Sequence, residues 1–260
     1  MRLFTRMSDA ISIAHTSAES SPACRNAERA ASLANVTRLL AAQLGARPIS
    51  VYEAGGGSTS YIPLGGLSVS HITLVDIDPR QVDRNDIANE TIVGDLQTIE
   101  LPAESFDLVI CYNVIEHLPR LPQALQRLAR VVKPGGLIVI GAPVPLSLNG
   151  LAARFTPHRV HVWICKHLLK WPDAGKPGCA PFPVAYHRLV HPGRLQAHMK
   201  MFGLQPVYFC AYLGSLIEEI ARKNPLLGRL LISAANVASR AAFGRLDLLR
   251  GDFHLVLRKL

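Results

Sequence analysis

A chain of 260 residues with 49% hydrophobic and 18% charged residues can bury a sizeable core, which excludes wholesale disorder. The formal net charge of +9 invites an anionic partner, yet the basic residues are scattered and nowhere densely interleaved with aromatics, which argues against nucleic acid. Five widely spaced cysteines (Cys24, Cys111, Cys165, Cys179, Cys210) with no CxxC pair point to reduced thiols in a cytoplasmic protein; the N-terminus shows no apolar signal region, and no apolar run reaches the roughly 18 residues of a spanning helix.

Residues 1–22 read as a loose, serine-rich lead. A helix is predicted over 24–44 from Ala30, Leu33, Val36, Leu40 and Leu44, and Gly45 and Pro48 stop it. Residues 49–53 predict a strand that runs into glycines. Residues 71–76 predict a second strand, 91–93 a short third and 106–111 an apolar fourth. Residues 119–132 carry Leu121, Leu125, Leu128 and Val131 at helical spacing, ended by Lys133-Pro134-Gly135-Gly136, and 137–140 predict a fifth strand.

After Gly141 the text changes. Residues 143–192 are rich in Pro, His and aromatics without a sustained period, so an irregular insert covering the substrate is expected. A short helix follows over 193–203, a sixth strand over 205–211 and a long helical stretch over 214–249, interrupted at Asn224-Pro225. A seventh strand is predicted over 253–258. Apolar strands alternating with helices predict an α/β fold: a seven-stranded, mostly parallel sheet with helices on both faces and an antiparallel C-terminal strand. The expected divisions are a lead and cap helix (1–47), a ligand-binding core (48–142), an insert with its helix (143–203) and C-terminal elements completing the same domain (204–260).

The strongest local signal is Glu53-Ala54-Gly55-Gly56-Gly57-Ser58-Thr59-Ser60, where a strand runs into glycines. Such a turn lets the backbone approach a ligand, and a helix starting there would offer unpaired N–H groups to an anion. Asp76 closes the second strand about twenty residues later, where an acid accepts hydrogen bonds from ribose hydroxyls. Asp95 follows the third strand, at a spacing suited to an adenine edge. A dinucleotide fingerprint would place its third glycine at position 60, which is Ser60, so that pattern is incomplete. Each acid taken alone also reads as a turn or helix cap; their placement at successive strand ends favours a site.

Taken in order, ExGxG, the acid after strand two, Gly94-Asp95-Leu96, Phe106–Cys111, Val114-Ile115-Glu116-His117-Leu118 and Lys133-Pro134-Gly135-Gly136 resemble class I methyltransferases that use S-adenosylmethionine (SAM), within the broad methyltransferase type 11 group. The resemblance covers roughly residues 48–143 and implies a Rossmann-like fold. It implies that Glu53, Gly55 and Gly57 line the methionine and ribose of SAM, and that Asp76 holds the ribose hydroxyls with Ile77 against the adenine. It also implies that Asp95 and Leu96 frame the adenine and that Asn113 sits beside the methionine end. Two departures stand out: Thr59 replaces the family's third glycine, and the short segment before Asp95 predicts a truncated helix.

Methyl transfer from a sulfonium needs a nucleophile held in line, and a base where the acceptor is a hydroxyl. His117 is the candidate base or substrate contact; otherwise it is a helix-start histidine satisfied by backbone. In the insert, His158, His161 and His187, with arginines and aromatics beside them, suit a polar or anionic small molecule. His158, His161, His187 and His191 have spacings open to a metal reading, but no carboxylate or thiolate recurs at matching intervals, so no metal is expected. Within 226–249, Arg229, Ser233, Asn236 and Arg240 oppose Leu230, Leu231, Ala234, Val237, Ala238 and Ala241. That amphipathic helix reads as a cover for one sheet face, or as a dock for an anionic membrane. The expected function is methylation of a small-molecule hydroxyl in specialised or cell-envelope metabolism. A membrane-surface methyltransferase of a quinone or lipid, and a non-catalytic SAM-binding module, are the rivals.

Overall fold

The computed structural model describes residues 22–167, 172–176, 181–241 and 247–260. The serine-rich lead through residue 21, and two short pieces of the expected insert, lie outside the described residues. Seven strands form one sheet in the order β3-β2-β1-β4-β5-β7-β6. They are β1 (Ile49–Ala54), β2 (Val69–Asp76), β3 (Glu90–Val93), β4 (Phe106–Tyr112), β5 (Val132–Pro143), β6 (Leu204–Leu213) and β7 (Arg250–Lys259). β1 to β5 run parallel, and β7 lies antiparallel between β5 and β6. The expected Rossmann-like sheet with its antiparallel C-terminal strand is therefore present.

Every residue of β4 is buried, which explains its near-continuous apolar text: a central parallel strand is covered on both faces. Val109 and Cys111 face a layer built by α3 (Leu121–Val131) and α6 (Pro192–Lys200). Leu108, Ile110 and Tyr112 face α1 (Pro22–Leu44) through Val36, Leu40 and Leu44. The two-residue alternation of a strand thus divides the core into two clusters. Because β4 crosses to the far side of β1, the loops leaving these two strands diverge and open a crevice at their carboxyl ends.

Three features depart from the sequence reading, and the helix before β3 matches it. Residues 55–68 run as turns, so no helix begins after the glycines. Five glycines and Pro63 in that stretch make helix formation too costly. The helix before β3 is the truncated piece expected, α2 (Pro79–Val82). The insert is not irregular: it contains α4 (Leu148–Phe155), started by the Ser147 hydroxyl accepting from the Gly150 N–H at 3.0 Å, and α5 (His158–His167). The long C-terminal stretch divides at Asn224 into α7 (Ser215–Lys223) and α8 (Pro225–Ala241), and α8 packs on α7 rather than on the sheet. Its buried Gly228 and Ala235 permit that approach, since a Cβ on Gly228 would lie 2.5 Å from the Ala221 Cα.

Candidate functional site

The glycine loop leaves the carboxyl end of β1. Gly55, at φ +73°, donates its N–H to the Val75 carbonyl at 2.7 Å, and a Cβ there would sit 2.6 Å from a Val114 methyl. Only glycine fits this left-handed, crowded position. Gly57, at φ +60°, donates to Asp76 Oδ2 at 3.0 Å, while its carbonyl accepts from Asn85 Nδ2 at 2.9 Å. Asp76 Oδ1 accepts the Asp78 N–H at 2.9 Å. Both carboxylate oxygens keep a free lone pair, so Asp76 shapes the loop and can still receive hydroxyl donors. Ile77, next along the chain, is 70% exposed.

Asp95 accepts from the Gln97 backbone N–H at 2.8 Å and from Gln97 Nε2, with Arg120 at 3.7 Å. Leu96 beside it is turned into the core against Tyr52 and Leu128, so its backbone rather than its side chain faces the crevice. Asn113 follows β4 in the left-handed region, at φ +55°, with its N–H on the Gly141 carbonyl at 2.8 Å. Glu53, Gly55, Gly57, Asp76, Ile77, Asp95 and Asn113 thus lie along the carboxyl edge of the sheet.

Two carboxylates at this edge carry an unusual burden. Glu53 and Glu116 are 2% and 4% exposed, and Glu53 Oε1 and Glu116 Oε2 have no hydrogen-bond partner. Burial pushes Glu53 up to about 7 and Glu116 up to about 8, the latter also through the negative charge of Asp252. The Cys111 thiol is raised by burial and by both carboxylates, which places it within reach of their charges. Buried acceptors without donors are costly, and a cationic, donor-bearing ligand would relieve both.

His117 lies in the short 3-10 turn after β4. Its Nδ1 is 2.7 Å from the Pro183 carbonyl, so Nδ1 carries the proton and Nε2 holds the lone pair. Burial lowers its pKa, keeping the ring neutral near pH 7, and Phe182 meets it edge-on at 6.0 Å. The other three histidines are exposed or hold other partners, although residues 185 and 186, just before His187, donate to the Glu116 carbonyl beside His117. His158 is exposed at the start of α5, and His161 is tied to Thr156 and to the Ala152 carbonyl. His187 caps the next turn by accepting the Leu189 N–H at 3.2 Å. Among the described residues no group of three or more His, Cys, Asp or Glu side chains is placed to hold a metal ion.

Beyond Asn113 lies a cluster that sequence reading missed. His254, fully buried on β7, has Ser32 Oγ at 2.7 Å from Nδ1, and the hydroxyls of Tyr112 and Tyr212 at 2.9 Å and 3.1 Å from Nε2. Burial, and then the charge of Arg29, push His254 down to about 4, so it stays neutral. Gly141 makes room for the Tyr112 ring, which a Cβ there would meet at 2.3 Å, and Tyr61 stacks on that ring at 5.0 Å. This network underlies a polar pocket of about 70 Å³ lined by Arg29, Tyr112, Asn113, Tyr212, Leu213, Glu218 and Asp252. The one available signal was a histidine inside the otherwise apolar Phe253–Leu257 text.

Comparison with known proteins agrees with this geometry. Residues 52–140 match the model of a methyltransferase domain family. The malonyl-[acyl-carrier protein] O-methyltransferase of Serratia marcescens is 28% identical over 102 residues, spanning 38% of this chain and 40% of that protein. Its counterpart from Pseudescherichia vulneris is 33% identical over 104 residues, spanning 38% and 41%. The matched region thus covers about two fifths of these relatives. Among solved structures, SAM-dependent methyltransferases from Archaeoglobus fulgidus and Mesorhizobium loti share the fold, each with a TM-score of 0.54. The first is 18% identical, covering 89% of this chain and 94% of its own. The second is 15% identical, covering 86% and 96%.

Proposed function

We propose, from the premise that residues 52–140 form a class I SAM-dependent methyltransferase domain, that the chain transfers the methyl group of SAM to a hydroxyl of a small polar molecule. The observation that carries this reading is the pair of buried carboxylates, Glu53 and Glu116, each with one oxygen that has no hydrogen-bond partner, beside the glycine loop. SAM brings an ammonium and a sulfonium to that place, so the residues fit the group. Glu53, Gly55, Gly57 and Asn113 would hold its methionine end and ribose, Asp76 the ribose hydroxyls, and Ile77, Asp95 and the Leu96 backbone the adenine. When bound, SAM supplies an electrophilic methyl group.

The chain supplies position and proton handling. The pocket floored by Tyr112, Tyr212 and His254 adjoins the cofactor edge at Asn113 and would seat the acceptor. His117, with its Nε2 lone pair free, would take the hydroxyl proton. His158, His161 and His187 would act at most as outer walls of the acceptor path. Oxygen as the acceptor atom draws support from the O-methyltransferase names of the relatives, and the polar pocket fits a product of specialised or cell-envelope metabolism.

Parallel calorimetric titrations with SAM, S-adenosylhomocysteine and NAD test the reading. Micromolar binding of the first two and silence from NAD is the expected result, followed by S-adenosylhomocysteine release in a screen of hydroxylated acceptors. Folded protein that ignores both SAM ligands would sink it. Tight SAM binding without turnover on any acceptor would instead favour a non-catalytic SAM-binding module.

A further inference from the structure

α8 turns its large apolar side chains away from the protein. Leu226, Leu227, Leu230 and Val237 are between 45% and 71% exposed, because the helix uses its small residues Gly228 and Ala235 to pack on α7. At helical spacing Leu226, Leu230 and Val237 share one outward stripe, with Arg229 and Arg240 along its flank. α4 rests on the same helix α7, and the α4–α5 pair exposes Phe155, Val160 and Trp163. An exposed apolar set of this size marks an interaction surface.

Charge identifies the occupant. Residues 220–246 contain no Asp or Glu, nor do residues 144–172. Within both stretches the exposed apolar side chains are accompanied by cations and no acid, including Arg154, Arg159, Lys166, Arg229 and Arg240, and the exposed Asp173 just beyond is paired with Lys176. A second copy of the chain would bring two predominantly basic surfaces face to face, which like-charge repulsion opposes. An anionic bilayer surface satisfies both features at once: its headgroups attract the cations, and its interface accepts the leucines, tryptophan and phenylalanine. Among the described residues no helix is long and apolar enough to cross a membrane, so contact through this surface lies in the interface plane.

We infer that α8, together with the α4–α5 segment that meets α7 through α4, docks the protein peripherally on anionic lipid bilayers. The inference stands whether or not the chain methylates anything. Co-sedimentation of the full chain with phosphatidylcholine vesicles, with and without phosphatidylglycerol, is the test. The expected result is partition onto the anionic vesicles at low salt and release at high salt. The triple variant Leu226→Ser, Leu230→Ser, Val237→Ser and the double variant Arg229→Glu, Arg240→Glu should each lower that partition roughly tenfold or more. SAM affinity and melting temperature should remain those of the parent, because the substituted side chains are exposed. Parent protein that stays in the supernatant with anionic vesicles at low salt overturns the inference, as do variants that bind like the parent. A concentration-dependent dimer in sedimentation velocity, lost in the triple variant while vesicles go unbound, would assign the face to a second copy instead.

Discussion

The two halves of the carboxyl edge of the sheet are built by opposite strategies. On the β1–β2–β3 side, short hydrogen bonds join residues close in the chain: Gly57 to Asp76 across 19 positions, Asp76 to Asp78 across two, and Gln97 to Asp95 across two. On the β4–β7–β6 side, His254 gathers Ser32, Tyr112 and Tyr212 from 222, 142 and 42 residues away. The first half shapes backbone around a ligand with local turns and carboxylates. The second assembles a neutral, buried network whose members meet only once the sheet has closed. The proposed cofactor edge is therefore written locally, whereas the proposed acceptor pocket is a product of tertiary structure.

Substitution at the seam between the halves should produce the largest change. His117→Ala is expected to cut turnover by roughly a hundredfold to ten-thousandfold, the usual contribution of a general base, while SAM affinity measured by calorimetry stays nearly unchanged. A variant whose kcat is intact and whose acceptor KM alone rises would reduce His117 to an anchor for the Pro183 carbonyl.

The next largest effect should fall on the acceptor side alone. His254→Leu leaves two tyrosine hydroxyls and Ser32 short of a partner in a buried place, and should cost about 2–4 kcal/mol of stability in urea titrations. The variant should also lose a pH dependence. His254 in the folded chain titrates at about 4 against an ordinary value of 6.5, so the unfolded chain takes up its proton first as pH falls. The parent should therefore lose about 3 kcal/mol between about pH 6.5 and pH 4 that the variant does not. Equal slopes for both proteins would show that His254 titrates alike in the folded and unfolded chain.

How far each half could be read from sequence follows from the same contrast. β1 to β5 announce themselves as short, mostly apolar runs, with glycine directly after β1 and β3, and Glu53, Asp76 and Asp95 stand at or just past strand ends because the chain must turn there. α4 and α5 were obscured by Pro143, Pro145 and Pro157 and by histidines that break the apolar period, although Ser147 was a cap signal in plain text. α8 was read with the wrong inward face, because helix packing through Gly228 and Ala235 reverses the rule that large apolar side chains point to the core. Tyr112, Tyr212 and Arg29 left no local trace, since nothing near them in the chain depends on their chemistry.

A smaller effect isolates the cofactor side. Asp76→Ala should weaken SAM binding by about 1–3 kcal/mol, read by calorimetry. Because Asp76 also holds the Gly57 and Asp78 N–H groups, Asp76→Asn separates the two roles. The amide keeps one acceptor for the loop and loses the charge, so it should fall between parent and alanine. Acceptor KM should not move in either variant. An alanine variant that binds SAM like the parent would leave Asp76 a loop fastener only.

The smallest effect concerns Glu53, and it is a matter of sign. In the folded chain burial lifts its carboxyl from 4.5 to about 7, so the folded state prefers the protonated form. Its contribution to stability is complete below pH 4.5 and is lost as pH rises through 7. Between about pH 6 and pH 8 the ligand-free parent should lose about 1.4 kcal/mol from this group, and Glu53→Gln, which cannot ionise, should not. SAM binding should run the other way: its ammonium favours the ionised carboxylates, so parent affinity should climb over that interval, while the glutamine variant, which keeps only Glu116, should climb less and be weaker at pH 8. Apo melts and calorimetry on both proteins read the two slopes independently. Opposite slopes in the parent, each shallower in the variant, where only Glu116 still titrates, would tie the partnerless oxygen of Glu53 to the cation it lacks. A parent affinity that ignores pH would leave that oxygen a packing cost, and the acid at the end of β1 would have to be explained by the loop alone.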